Sequence, residues 1–152
     1  MRTIRAFIAV DIPPVVREQI AELQDGFKSL ELDVAWVKPA NFHLTLKFLD
    51  NINPDRISEI NEILKAKLAL TPGFMTTVGA VGVFPSLDRP RVLWVGLESQ
   101  ALVALQNNID SCLGQAGFEP EPKKFSAHLT LGRIKSSKGK NILQQTLKTM
   151  QK

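Results

Sequence analysis

One tetrapeptide occurs twice in this chain and restricts what the chain can become. His43-Leu44-Thr45-Leu46 returns, residue for residue, as His128-Leu129-Thr130-Leu131. The sequence holds two histidines, and both sit in these copies. In a β-strand alternate side chains share a face. Each copy therefore reads as a strand with His and Thr on one face and two leucines on the other, toward a core. Two copies imply two related halves, each built of sheet and helix. If the strands lie side by side about a pseudo-twofold, their polar faces meet in one cleft with two imidazoles and two hydroxyls. One lone copy would read as an ordinary half-exposed strand. Two identical copies holding every histidine favour a functional pair.

Histidine is the side chain whose unperturbed pKa, ~6.5, lies nearest neutral pH. A reaction that needs one general base and one general acid can take both from such a pair. Two histidines and Cys112 could also be three zinc ligands. That reading is disfavoured, because Cys112 falls in a helical apolar stripe and no close-spaced ligand pair exists. No metal and no cofactor are expected.

At 152 residues the chain suits one compact domain, or two small lobes sharing a core. The 44% apolar share is enough for a globular core. No run approaches the ~18 apolar residues of a membrane span, and no membrane association is expected. The N-terminal stretch reads as a strand, not a signal peptide. A lone cysteine allows no intramolecular disulfide, which suits the cytoplasm. The net charge of +4 favours anionic ligands, RNA among them, without identifying one.

In chain order, Thr3 to Val10 alternates as a strand, and Pro13-Pro14 opens a helix. Val16, Ile20, Leu23, Phe27 and Leu30 carry that helix's apolar stripe. Val34 to Val37 is a short strand, and the first HLTL strand runs from His43 to Leu49. Asp50 to Pro54 reads as a turn in which Asn53 caps the next helix. That helix carries Ile57, Ile60, Leu64 and Leu68. Phe74 to Phe84 is β-rich, with Gly79 and Gly82 suggesting a bulge or a close backbone approach. Arg91 to Leu97 is a strand. A third helix carries Leu102, Leu105, Ile109, Cys112 and Ala116, with Gly117 as its stop. Glu119 to Lys124 is an extended loop before the second HLTL strand, and a final helix starts near Ile142. The order is β-α-β-β-α-β-β-α-β-α, an α+β class.

These residues resemble the two-histidine phosphoesterases, specifically the RNA 2',3'-cyclic phosphodiesterases, also called the 2'-5' RNA ligase family. Four stretches carry the resemblance: Arg5 to Val10, Trp36 to Leu49, Gly82 to Pro85 with Arg91 to Trp94, and Phe125 to Arg133. The resemblance implies a bilobal fold, two pseudo-symmetric sheet-plus-helix lobes around a central cleft. It implies metal-independent hydrolysis of RNA 2',3'-cyclic phosphate ends to 2'-phosphomonoesters, and in some members weak 2'-5' ligation by the reverse chemistry. By position, His43 would be the general acid at the leaving 3'-oxygen and His128 the general base for water. Thr45 and Thr130 would hold phosphate oxygens, and Arg133 would contact phosphate or base. Partners would be RNA 3' ends or small cyclic nucleotides, bound by a monomer. The family usually continues into a further strand and a Gly-x-Tyr segment. This sequence ends at Lys152 and has no Tyr, so one domain over 1–152 without that C-terminal strand is expected.

Parity raises a question within the motif. Arg133 stands five residues after His128, and Phe48 five after His43. An ideal strand would turn both away from the histidine face. A bulge would restore them, and Phe48 could then stack on a base. Lys47 has the parity of the histidine face. Trp36 and Trp94 read as core. Two further readings remain open from the residues: a phosphodiesterase for another cyclic or 2'-5'-linked nucleotide, and a non-catalytic RNA-end binder. Substrate choice would lie in loops such as Pro85 to Pro90 and Glu119 to Lys124.

Overall fold

The computed structural model describes residues 2–151. Met1 and Lys152, the ends of the expected domain, lie outside the described residues. The strands are β1 (Ile4–Asp11), β2 (Val34–Trp36), β3 (His43–Ile52), β4 (Thr77–Pro85), β5 (Pro90–Glu98) and β6 (His128–Ile134). The helices are α1 (Pro14–Lys28), α2 (Ile57–Leu68), α3 (Gln100–Gly114) and α4 (Lys140–Met150). Short 3₁₀ turns at Pro39–Asn41 and Pro54–Arg56 precede β3 and α2. Strands and helices follow the order read from the sequence.

The chain forms two compact units. The first contains the chain up to Val10, Thr45–Thr77 and Glu98–Ala127; the second contains Asp11–Leu44, Val78–Leu97 and the chain from His128. Each unit thus holds a sheet and two helices. In the first, β1 and β3 form a two-stranded sheet, and α2 packs on α3. Leu46, Leu49, Ile52, Ile60, Leu102, Leu105, Ile109 and Leu113 are its buried apolar side chains. In the second, four strands run in the order β2-β6-β5-β4. Its core holds Leu93, Val95, Leu129 and Leu131 from the sheet, Ile20 and Phe27 from α1, and Leu143 and Leu147 from α4.

Local chemistry explains the element boundaries. Asn53 accepts a hydrogen bond from the Asp55 amide at 2.9 Å, and Ser99 accepts one from Leu102 at 3.2 Å. Both satisfy amide groups that a helix start leaves open. Gly117 adopts φ 95°, in the left-handed region, just past α3. That is the conformation glycine supplies at a helix end.

Three expectations change. Asp50 to Ile52 extends β3 and is not part of the turn. The buried stripe of α3 ends on Leu113, while Cys112 is only half-buried. Leu113 lies four residues after Ile109, so it continues the same helical face. On α1 the buried positions are Ile20, Gln24 and Phe27, so a glutamine stands where only apolar residues were expected.

Candidate active site

His43 and His128 are the first residues of β3 and β6, and both belong to the second compact unit. In β6, His128 and Thr130 are half-buried, while Leu129 and Leu131 are fully buried. In β3, His43 and Thr45 are half-buried, while Leu44 and Leu46 are buried. The alternation expected of each tetrapeptide is therefore present in both.

The strand register settles the question about Arg133. Gly96 lies opposite His128, Trp94 opposite Thr130, Val92 opposite Arg133 and Leu93 opposite Gly132. Leu131 is left without a partner on β5, so β6 carries a β-bulge there. Paired residues of an antiparallel ladder share a face. Val92, Trp94 and Gly96 are alternate residues of β5 and share one face themselves. His128, Thr130 and Arg133 consequently line one face of the sheet, and Arg133 is exposed on it. Gly132 is required beside the bulge. A Cβ there would run into the Val34 side chain and the Trp36 ring.

The same break in alternation occurs in β3. Lys47 is buried next to buried Leu46, and exposure resumes at Phe48. Lys47 was expected on the histidine face but is 2% exposed. Its Nζ pairs with Asp110 and donates to the Glu119 carbonyl at 2.8 Å. The Asp110 carboxylate also accepts from the Glu121 amide at 3.1 Å. Lys47 thus fastens the segment after α3, a structural task instead of an exposed charge. Phe48 is 53% exposed and lies 6.1 Å from the equally open Phe7 ring, centroid to centroid.

Each histidine has a defined setting. The Arg17 guanidinium donates to the Pro39 and Ala40 carbonyls at 2.9 and 3.0 Å. It also meets Asp11 at 2.8 Å. These bonds fix the turn that delivers the chain into β3. His43 Nδ1 lies 2.7 Å from the Asn41 carbonyl oxygen. A carbonyl can only accept, so Nδ1 carries a proton in this contact. The His128 ring meets the Phe84 ring edge-on at 5.0 Å and the Trp94 ring at 6.3 Å. Phe84 and Trp94 are themselves 4.9 Å apart. Trp94, expected in the core, instead lies beside the histidine. A Cβ on Gly82 would collide with its indole, which bears out the close approach expected at that glycine.

Sequence reasoning named His43, Thr45, His128, Thr130, Arg133 and Phe48. It missed Phe84 and Trp94 beside His128, Arg17 behind the His43 turn, and two buried glutamines, Gln24 and Gln106. The parity of Trp94 on β5 was available, but its register against β6 was not. Among the described residues no group of three or more His, Cys, Asp or Glu side chains could hold a metal ion. No helix among them is long and apolar enough to cross a membrane.

Comparison with known proteins agrees with this geometry. The family model described as LigT like Phosphoesterase matches residues 10–94 and 95–152. The RNA 2',3'-cyclic phosphodiesterase of Methanothermobacter thermautotrophicus is 32% identical over 149 residues, 97% of this chain and 80% of that protein. The protein of the same name from Thermotoga maritima is 36% identical over 132 residues, 86% of this chain and 70% of that protein. The structure of E. coli LigT complexed with 3'-AMP aligns with a TM-score of 0.74 at 28% identity, covering 90% of this chain and 76% of that one. The fold is the bilobal two-histidine phosphoesterase fold. With a family match over two segments, each holding one HLTL tetrapeptide, the chain belongs to the LigT-like phosphoesterase family.

Proposed function

We propose that this protein hydrolyses RNA 2',3'-cyclic phosphate ends to 2'-phosphomonoesters, with His43 as general acid and His128 as general base. The observation that carries the reading is the pair of HLTL strands. Each starts on a histidine and presents its threonine on the same face. Family membership and the names of its relatives support the substrate class. The 3'-AMP complex of E. coli LigT supports binding of a nucleotide end.

The chemistry sets its own requirements. Water attacks phosphorus while the bond from phosphorus to the 3'-oxygen breaks on the opposite side. His128 takes a proton from the water, and His43 Nε2 gives one to the departing 3'-oxygen. Each transfer contributes roughly 10²–10⁴-fold. Charge builds on the phosphoryl oxygens meanwhile. The Thr45 and Thr130 hydroxyls and the Arg133 guanidinium supply fixed donors for it. The exposed ring of Phe48, paired with Phe7, offers a stacking surface to a nucleobase. The reaction needs no metal in this scheme. Weak 2'-5' ligation is the same path in reverse. We further place the protein in the cytoplasm as a monomer, with residues 1–152 working as one domain on RNA 3' ends; the lone Cys112 motivates the compartment.

The test is hydrolysis of a nucleoside 2',3'-cyclic phosphate in the presence of EDTA, comparing wild type with His43→Ala and His128→Ala. The expected result is a 2'-phosphate product from wild type and a loss of at least ~10²-fold in each variant. A folded wild type without turnover, or a 3'-phosphate product, contradicts the reading.

A further inference from the structure

Two helices bury an amide where their apolar stripes would ordinarily place an aliphatic side chain. Gln24 on α1 has no exposure, and Gln106 on α3 is 3% exposed. Gln24 Nε2 donates to the Leu131 carbonyl at 2.9 Å and to the Val37 carbonyl at 2.7 Å. Gln106 Nε2 donates to the Leu46 carbonyl at 3.2 Å. Leu131 and Leu46 are the same residue of the repeat, the last leucine of HLTL. The Gln24–Leu131 bond lies within the second compact unit and the Gln106–Leu46 bond within the first.

The held carbonyl stands where each strand changes phase. In β6 Leu131 is the unpaired residue of the bulge. Its carbonyl accepts from Gln24 and from the Val37 amide, the latter at 2.9 Å. In β3 the alternation breaks directly after Leu46. The Leu131 carbonyl thus takes a helix donor beside its strand donor, and the Leu46 carbonyl takes a donor from α3. A leucine or methionine on the helix would fill the space but offer none. A glutamate would set a carboxylate against a carbonyl. Gln24 serves even though its own Oε1 is buried with no partner among the described residues. That orphan acceptor disfavours a glutamine, so the side chain is explained by what its Nε2 holds.

We propose that Gln24 and Gln106 are positioning residues of the phosphoesterase site, each pinning the last carbonyl of one HLTL tetrapeptide, where its strand changes phase. The pin sets the direction of His and Thr before the break, and of Arg133 or Phe48 after it. This rests on the acid–base reading of His43 and His128, so the decisive measurement is one that does not need turnover.

The variants are Gln24→Met and Gln106→Met, which keep length and remove the donor. The readouts are the ring ¹⁵N signals of the two histidines by NMR, and kcat and KM on a nucleoside 2',3'-cyclic phosphate. Gln24→Met is expected to shift the His128 signals more than those of His43. Gln106→Met is expected to do the reverse. In both, kcat falls by about 10–100-fold while KM changes little, as for groups displaced by about an ångström. General loss of stability would not single out one imidazole. Folded variants with both rings unmoved overturn the proposal, whatever the wild type turns over. If the methionine variants do not fold, Gln24→Glu and Gln106→Glu decide. A buried carboxyl, protonated at low pH, still donates one hydrogen bond and loses it on ionising. A second alkaline limb in kcat, beyond the one that a general acid gives wild type, is then expected. A wild-type profile, or unfolding of all four variants, would show that the glutamines serve the fold alone.

Discussion

Arg133 shares a face with Thr130, although an unbroken strand would set them on opposite faces. The unpaired Leu131 between them makes the difference. The guanidinium follows His128 and Thr130 on one surface, exposed and able to meet an anionic oxygen. A charge-assisted hydrogen bond of this kind contributes about 1.5–3 kcal/mol. Arg133→Ala should lower kcat/KM on a cyclic phosphate by roughly 10–100-fold, with thermal stability little changed. Kinetics equal to wild type would remove Arg133 from the site.

Gly132 stands beside the bulge, packed against β2. Its missing side chain leaves room for Val34 and for the Trp36 ring. Gly132→Ala should force those groups apart and cost about 1–3 kcal/mol, the range for overpacking a filled interior. Urea unfolding measures it, and an unchanged midpoint would show that β2 shifts without penalty.

Lys47 and Asp110 form a buried ion pair in the first unit, with the Glu119 carbonyl as a further acceptor. Lys47→Met leaves the Asp110 carboxylate, only 14% exposed, without its cation. Breaking one side of a buried pair typically costs about 3–5 kcal/mol. Lys47→Met combined with Asp110→Asn should recover part of that loss. Equal stability of Lys47→Met and wild type would mean that Asp110 finds water or another partner.

The halves of this protein differ in how legible they are. The HLTL strands could be read because their information is local: alternation, a repeat and the whole histidine content. The helices could be read from spacing, and the strand and helix order followed. What stayed hidden depends on partners across the sheet. Arg133 belongs to the histidine face only through a bulge defined by β5. Trp94 is an apolar strand residue until its register places it opposite Thr130. Lys47 had the parity of the histidine face, and its partner Asp110 is distant in sequence. Gln24 and Gln106 were passed over because apolar periodicity skips polar residues, and their acceptors lie on other elements.

In the proposed mechanism His43 protonates the leaving oxygen and His128 activates water. The most direct measurement replaces that oxygen. In a cyclic phosphate whose 3'-bridging atom is sulfur, the leaving thiolate needs no proton. Turnover by His43→Ala and His128→Ala is then compared on the oxygen and sulfur substrates. Sulfur should restore His43→Ala to near the wild-type rate and leave His128→Ala impaired. Restoration of His128→Ala instead, or of neither variant, would contradict the assignment.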